Sequence, residues 1–295
     1  MKIVECVPNF SEGRDEEKVR SIAEAIRSVQ GIKLLDFSMD CDHHRSVFTF
    51  IGSPECVFVG AMAACEQALD VIDMRAHGGV HPRIGAVDVV PFIPLKGSDM
   101  QDAVTLAHRF GHEFAKRNQV PVYFYGAAAL HPGRQKLPEI RKGGYEKLRE
   151  KIKDPLWRPD AGPSAMDDRS GATVVGARMP LIAFNVNLHS DDLDLARRIA
   201  RVVRESSGGL KNVQAIGVPL RSRNIVQVSM NLTNYKQTSI RTVYDAIHDE
   251  ALQSGVSILE SELIGLIPEE ALEGVSVSDL QLSRFSADRI IETHL

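Results

Sequence analysis

The chain has 295 residues, 43% of them hydrophobic and 25% charged, with a formal net charge of -4 at pH 7. That length suits one large domain or two medium ones, and the composition is that of an ordinary soluble globular protein. The negative balance excludes a dedicated nucleic-acid binder, which would carry a basic face, and no run approaches the roughly 18 apolar residues that span a bilayer.

Residues 2–7 read as a short strand, and residues 9–16 as a polar turn. Glu5 interrupts the first apolar run after Ile3 and Val4, so no secretory signal is expected. A helix follows with Val19, Ile22, Ala23, Ile26 and Val29 on one face, and Gly31 ends it. Residues 32–37 and 47–51 are strands, separated by the polar turn Asp40-Cys41-Asp42-His43-His44. Ser53-Pro54 starts a helix that is expected to run to about residue 74. Residues 84–92 supply a fourth strand, residues 100–118 a further helix, and residues 121–125 a further strand. Residues 126–179 read as a long irregular region rich in Gly, Pro and charge, and loops of that length are commonly functional. Trp157, the single tryptophan, argues that this region is packed. Gly162-Pro163-Ser164 and Ser170-Gly171-Ala172-Thr173 would let backbone N–H groups approach a ligand closely.

The order strand, helix, strand, strand, helix, strand then returns, with strands at 181–188, 213–218, 225–232 and 256–259 and helices at 192–206 and 239–253. The expected fold is therefore α+β: two tandem ferredoxin-like (split βαβ) subdomains, residues 1–178 and 179–295. In the second subdomain Phe184, Val186 and Leu188 alternate with Asn185 and Asn187, and Val226, Val228 and Met230 with Gln227, Ser229 and Asn231. Alternation sets the apolar residues under the helices and the amides on the opposite face. Such a face is either solvated or part of a wet cleft that hydrogen-bonds a polar heterocycle or an amino acid.

The chemistry concentrates in Arg75-Ala76-His77-Gly78-Gly79-Val80-His81-Pro82-Arg83, just ahead of the fourth strand. His81 is the leading acid/base candidate, because imidazole moves protons near neutral pH, with a loop-capping histidine as the plain alternative. His77 and His81 have a zinc-like spacing, but such a pair rides a helix, and Gly78, Gly79 and Pro82 argue against one. Cys6, Cys41, Cys56 and Cys65 show no CxxC spacing, so neither a zinc site nor a disulfide framework is expected, and a cytoplasmic location is. Asp40, Asp42, His43 and His44 form a second cluster that could bind a metal, orient His81, or lie as a solvated turn. Arg45, Arg83 and Arg178 adjoin strand ends and together with His81 would make a carboxylate site. Asn9, Ser11 and Glu12 lie where a helix N-terminus adds donors.

With those residues in view, the chain resembles the glutamate formimidoyltransferases, folate-dependent enzymes of histidine degradation that also form the N-terminal part of formimidoyltransferase-cyclodeaminases. The resemblance is carried by Glu5-Cys6-Val7-Pro8-Asn9-Phe10-Ser11-Glu12-Gly13, Arg45-Ser46-Val47-Phe48-Thr49-Phe50 and His81-Pro82-Arg83-Ile84-Gly85-Ala86-Val87-Asp88. It continues through Val122-Tyr123-Phe124-Tyr125-Gly126, Gly162-Pro163-Ser164, Gly171-Ala172-Thr173, Gly176-Ala177-Arg178 and Leu181-Ile182-Ala183-Phe184-Asn185-Val186-Asn187-Leu188.

The resemblance implies a homodimer of two-subdomain chains with the ligand in a cleft or tunnel between the subdomains, and His81 as the catalytic histidine. It implies a folate-contacting segment at Gly162, Pro163, Ser164, Ala165, Met166, Asp167, Asp168, Arg169, Ser170 and Gly171, with tetrahydrofolate as co-substrate and no metal. The substrate-binding candidates are Asp40, Arg45, Arg83, Arg178, Asn185, Asn187, Gln227 and Asn231. Cyclodeaminase activity is expected to be missing or to reside in a separate protein. The implied reaction moves the formimidoyl group of N-formimidoyl-L-glutamate to N5 of tetrahydrofolate. Formimidoylglycine or formylglutamate as donor, a metal-dependent amidine hydrolase using His43, His44, His77 and His81, and a non-catalytic folate binder are the alternatives.

Overall fold

The computed structural model describes residues 2–282 and 285–295. The chain divides into two units, Met1–Arg178 and Met179–Leu295. In the first, β1 (Val4–Cys6) and β2 (Asn9–Phe10) are two pieces of one line of chain, and both pair antiparallel with the same two neighbours. Pro8 stands between them and has no N–H to continue the ladder. The expected turn at residues 9–16 therefore begins as a strand. Asp15 then caps α1 (Glu16–Arg27) by accepting the N–H groups of Glu17 and Lys18, and Val19, Ile22, Ala23 and Ile26 face the core.

A hairpin of β3 (Lys33–Asp40) and β4 (Arg45–Gly52) leads into α2 (Pro54–Val71), with Ser53 as its N-cap and proline at its first position. This helix stops at Val71, short of the expected residue 74, because Ile72 is already extended and Asp73 caps a separate single turn. β5 (Val87–Pro94) starts later than residue 84. Residues 84–86 bond instead to residues 170–172, through Ala86 N–H to Ser170 O at 2.8 Å and Ala172 N–H to Ile84 O at 3.0 Å. α3 (Met100–Asn118) follows with a capping box between Asp99 and Asp102, and then β6 (Val122–Gly126).

The region 126–179 corrects the expectation of irregular chain. It holds α4 (Leu137–Arg141), α5 (Gly144–Lys151) and β7 (Thr173–Ala177). β7 lies between β5 and β6, parallel to both, and all five of its residues are buried. A parallel strand covered on both faces shows no alternation to read. The sheet runs β3, β4, β1 with β2, β5, β7, β6.

Period-2 geometry gives this sheet two faces. Val122 and Phe124 join Phe10, Phe48, Phe92, Phe110 and Phe114 in the large core under α1, α2 and α3. Tyr123, Tyr125, Val89 and Val174 join Ile140 and Leu148 of α4 and α5 in a smaller core on the other side, with Trp157 packed against it. Arg134 fastens that layer: it bonds Asp160 and the carbonyls of Leu156 and Arg158, and its guanidinium lies over the rings of Tyr123 and Trp157.

The second unit contains β8 (Ile182–Leu188), α6 (Leu193–Val203), β9 (Val213–Leu220), β10 (Ile225–Leu232), α7 (Ile240–Gln253) and β11 (Ile258–Ile264). Its sheet has the order β11, β8, β10, β9, with every neighbouring pair antiparallel. The last strand extends to Ile264 rather than residue 259. Phe184, Val186, Leu188, Val226, Val228 and Met230 pack with the helices in one apolar core. Both units are thus mixed α+β layers. No helix among the described residues is long and apolar enough to cross a membrane.

Candidate active site

The histidines of the first unit are sorted by what their ring nitrogens touch. The hairpin turn between β3 and β4 is held by Asp40, whose Oδ1 accepts the His43 N–H at 2.7 Å, and His44 takes a left-handed conformation at φ 51°. Asp40 thus supports the turn. Glu12 Oε1 accepts the N–H groups of Gly13, Arg14 and Asp15 at 2.9, 2.9 and 3.1 Å and faces His44 Nε2 at 3.2 Å. Burial raises the Glu12 carboxyl, but His44 and the Arg14 and Asp15 N–H groups outweigh it and hold the pKa at about 2. His44 Nδ1 faces Gly78 O at 3.1 Å, so both of its nitrogens are engaged.

His77 lies stacked on His44, with ring centroids 4.1 Å apart. Its Nε2 donates to His44 O at 2.8 Å and its Nδ1 accepts Arg83 Nε–H at 3.1 Å. Burial, opposed by that backbone bond, lowers its pKa to about 4. A neutral ring with both nitrogens engaged has no lone pair to offer a metal. Among the described residues no group of three His, Cys, Asp or Glu is placed to hold one.

His81 differs. Its Nδ1 stands 2.8 Å from Pro82 O, and a carbonyl only accepts, so Nδ1 carries the proton. No protein group bonds Nε2 among the described residues, which leaves that lone pair for a ligand. His81 is half-buried, and its ring lies 5.9 Å from that of His43. Burial, then the charges of Arg45 and Arg141 and the nearby His43, push its pKa well below the usual value. The ring is therefore a neutral base at pH 7.

The cations beside it are organised by Asp88, which is fully buried on β5. Arg45 of β4 donates to Asp88 Oδ2 at 2.6 Å and to Asn9 Oδ1 at 3.0 Å. Arg141, the last residue of α4, donates to the same Oδ2, and Ile84 N–H bonds Oδ1 at 3.0 Å. Burial lowers the Arg45 pKa to about 10 against the attraction of Asp88. The short helix that ends in Arg141 is itself held by Lys151, whose Nζ donates to the carbonyls of Glu139, Ile140 and Lys142 at 3.0, 2.8 and 3.3 Å.

Arg178 follows β7 and hydrogen-bonds Tyr125, whose hydroxyl is pushed up by burial and held back by Arg178 and Arg141. Arg83 is committed elsewhere: Nη1 and Nη2 grip the Glu146 carboxylate at 2.9 and 2.7 Å while Nε meets His77. Its guanidinium braces α5 against the His77 loop instead of standing open to a ligand carboxylate. The segment Gly162 to Gly171 is largely exposed and anchored at its far end. Gly85 and Gly171 form a bridge so close that a Cβ on Gly85 would stand 2.2 Å from Ala172 O, and Gly171 turns at φ +70°. This crossing ties the expected folate segment to the arm that carries His81.

In the second unit Asn187 and Gln227 are opposite each other and almost wholly buried, 0% and 1% exposed, so they are not a solvated face. Gln227 Nε2 donates to Asn187 Oδ1 at 2.8 Å, and Asn187 Nδ2 donates to Glu262 Oε1 at 2.8 Å. Asn185 is buried opposite Ser229, and Asn231 is half-buried at the far end of β10. Glu260 and Glu262 of β11, with Arg223 paired to both, complete a network that the sequence reading did not include. Their alternation Glu260-Ser261-Glu262 was the available signal, and it lay beyond the expected strand end. Arg141 and Asp88 were missed as well. Asp88 stands as a lone acid in an apolar strand, a pattern that demands a buried partner.

A family model for the formiminotransferase domain, N-terminal subdomain, matches residues 3–178, and one for the formiminotransferase domain matches residues 183–283. The chain is 45% identical to a glutamate formimidoyltransferase of Thermoplasma acidophilum, over 99% of this chain and 97% of that one. It is 41% identical to a glutamate formimidoyltransferase of Streptococcus pyogenes, over 100% and 99%. It is also 47% identical to a formimidoyltransferase-cyclodeaminase of Rattus norvegicus, over 92% of this chain and 51% of the rat protein. On a match that takes in both units, the chain belongs to the formiminotransferase family.

Proposed function

We propose that this chain transfers the formimidoyl group from N-formimidoyl-L-glutamate to N5 of tetrahydrofolate, releasing glutamate, in histidine degradation. Near-full-length similarity to two glutamate formimidoyltransferases supports the reaction class. The observation that carries the residue assignment is His81, a neutral imidazole with Nδ1 held by Pro82 O and Nε2 open.

The reaction joins N5 to the amidine carbon and breaks the bond from that carbon to the glutamate nitrogen. One proton must leave N5, and one must reach the departing amine. His81 Nε2 takes the first and returns it to the second, a role worth about 10²–10⁴ in rate. Arg45 and Arg178 hold donor carboxylates and fix the amidine near N5. Residues 162–171 contact the folate, a reading supported by their exposure and their tie to residues 84–86. Asn185 and Asn231 offer amides to the polar heterocycle, Asn187 and Gln227 brace that face through their mutual bond and Glu262, and Asp40 acts through the turn it holds. Each unit is proposed to be a ferredoxin-like split βαβ fold. That reading is supported in each by the strand order fourth, first, third, second, with the β1–β2 line counted as one strand. The ligand tunnel, the homodimer and transfer of product to a separate cyclodeaminase are parts of the same proposal.

His81→Ala tests it. The expected result is a kcat lower by about 10²–10⁴ with 5-formyltetrahydrofolate binding intact; turnover near wild type removes His81 from the chemistry. Side-by-side turnover of formimidoylglutamate, formimidoylglycine and formylglutamate identifies the donor.

A further inference from the structure

Arg45, Asp88 and Arg141 do not balance. Two guanidiniums share one carboxylate, and the side chains are 9%, 0% and 10% exposed. One formal positive charge is thus left in a nearly dry place, and a buried charge lacking its partner is strongly unfavourable. Arg45 Nε has Asn9 as acceptor, whereas Arg141 Nε is buried with no hydrogen-bond partner among the described residues. Chance placement does not account for this, because Lys151 fixes the backbone on either side of Arg141 through three carbonyls. A frame that holds an under-paired guanidinium rigidly beside His81 is organised for an incoming anion.

We infer that Arg141, held in place by Asp88 and Lys151, seats a carboxylate of the glutamyl donor next to His81. The inference rests on the transfer reading above and adds a binding residue to it. Arg83, whose guanidinium is taken by Glu146, is replaced in that role. The seat also links binding to chemistry. The groups facing His81 are Arg45 of β4, Arg141 of α4 and His43 of the hairpin turn, with Asp88 behind the arginines. A second carboxylate there offsets the cations that oppose an imidazolium, so His81 takes up a proton more readily once the donor is seated.

A glutamyl carboxylate also ends the folate tail, and the experiment separates the two sources. Glutarate, an unreactive dicarboxylate, is titrated calorimetrically into the full chain as wild type, Arg141→Gln and Arg141→Lys. The expected result is binding to wild type that weakens about tenfold or more in Arg141→Gln, the scale of a lost charged hydrogen bond. In turnover, KM for the donor rises by a similar factor while KM for tetrahydrofolate stays. Equal glutarate affinity in wild type and variant, or no binding to wild type, overturns the inference. A rise confined to KM for tetrahydrofolate overturns it as well, by assigning Arg141 to the folate tail. Where Arg141→Gln fails to fold, Arg141→Lys decides, since it keeps the charge but not the planar fork: unchanged affinity is fatal and weaker binding supports the seat. Arg141-dependent glutarate binding in a chain that transfers nothing would leave the seat standing and refute the transfer reading.

Discussion

Replacing Glu12 by Gln removes one negative charge while keeping an oxygen acceptor in the turn after β2. Glu12 Oε1 gathers three backbone N–H groups and faces His44, and Lys18 Nζ stands 3.6 Å from the second oxygen. These partners overcome the burial that disfavours the charge and move the carboxyl from 4.5 to about 2. A displacement of that size corresponds to about 3 kcal/mol of differential interaction. Because the folded pKa is depressed, this stability is complete above pH 4.5 and is lost as pH falls toward 2. Trp157, the single tryptophan, lies in the same unit as Glu12, so its fluorescence during urea unfolding reports on that unit. Glu12→Gln is expected to lower stability by about 2–3 kcal/mol at pH 7, and by only about 1 kcal/mol near pH 3, where the wild-type carboxyl is already losing its advantage. A difference that is the same at both pH values, or below about 1 kcal/mol at pH 7, would refute the electrostatic account of the turn.

With His81 proposed as a neutral base whose pKa is pressed below 6.5, kcat/KM is expected to persist as pH falls past 6.5 and to decline only at lower pH. Arg141→Gln removes one of the cations responsible and should move that acid limb to higher pH in the pH–rate profile; a limb that stays in place contradicts the assignment. Gly85→Ala would set a Cβ 2.2 Å from Ala172 O and 2.6 Å from Ser170 O, both backbone atoms that cannot swing aside. The crossing between residues 84–86 and 170–172 must then open. KM for tetrahydrofolate should rise several-fold, and the first unit should lose about 1–3 kcal/mol. Gly78→Ala meets nothing within 4 Å and is the matched control for stability.

What the sequence disclosed depends on how far apart the interacting residues are. α3 and β10 were legible to the residue because each is long, strongly patterned and bounded by clear signals, Asp99 before the helix and Asn224 before the strand. α4 has five residues and β7 is buried on both faces, so neither shows a period. The His81 loop was legible as chemistry, since Gly78, Gly79 and Pro82 deny His77 and His81 a common helical face. Which histidine keeps a free nitrogen was not. That depends on contacts such as His44 to Gly78, 34 residues apart, and Arg141 to Asp88, 53 apart.

The places where local rules fail lie together. His44 sits at positive φ, residues 84–86 leave the expected strand, Asp88 is an acid in an apolar strand, and Arg141 hides a donor in a five-residue helix. Each is unfavourable on local grounds, and each touches the surroundings of His81. Stability alone would favour replacing the Arg45–Asp88–Arg141 triad with apolar side chains of similar volume, since buried ion groups are often neutral or worse for folding. Its imbalance makes sense for a reaction in which an anionic donor arrives beside a base that must stay neutral beforehand. With one arginine the carboxylate would be met by a site already near neutrality, and with no Asp88 the two cations would repel each other out of register. Two cations on one fixed acid hold the geometry, keep His81 unprotonated and leave one positive charge for the ligand to complete.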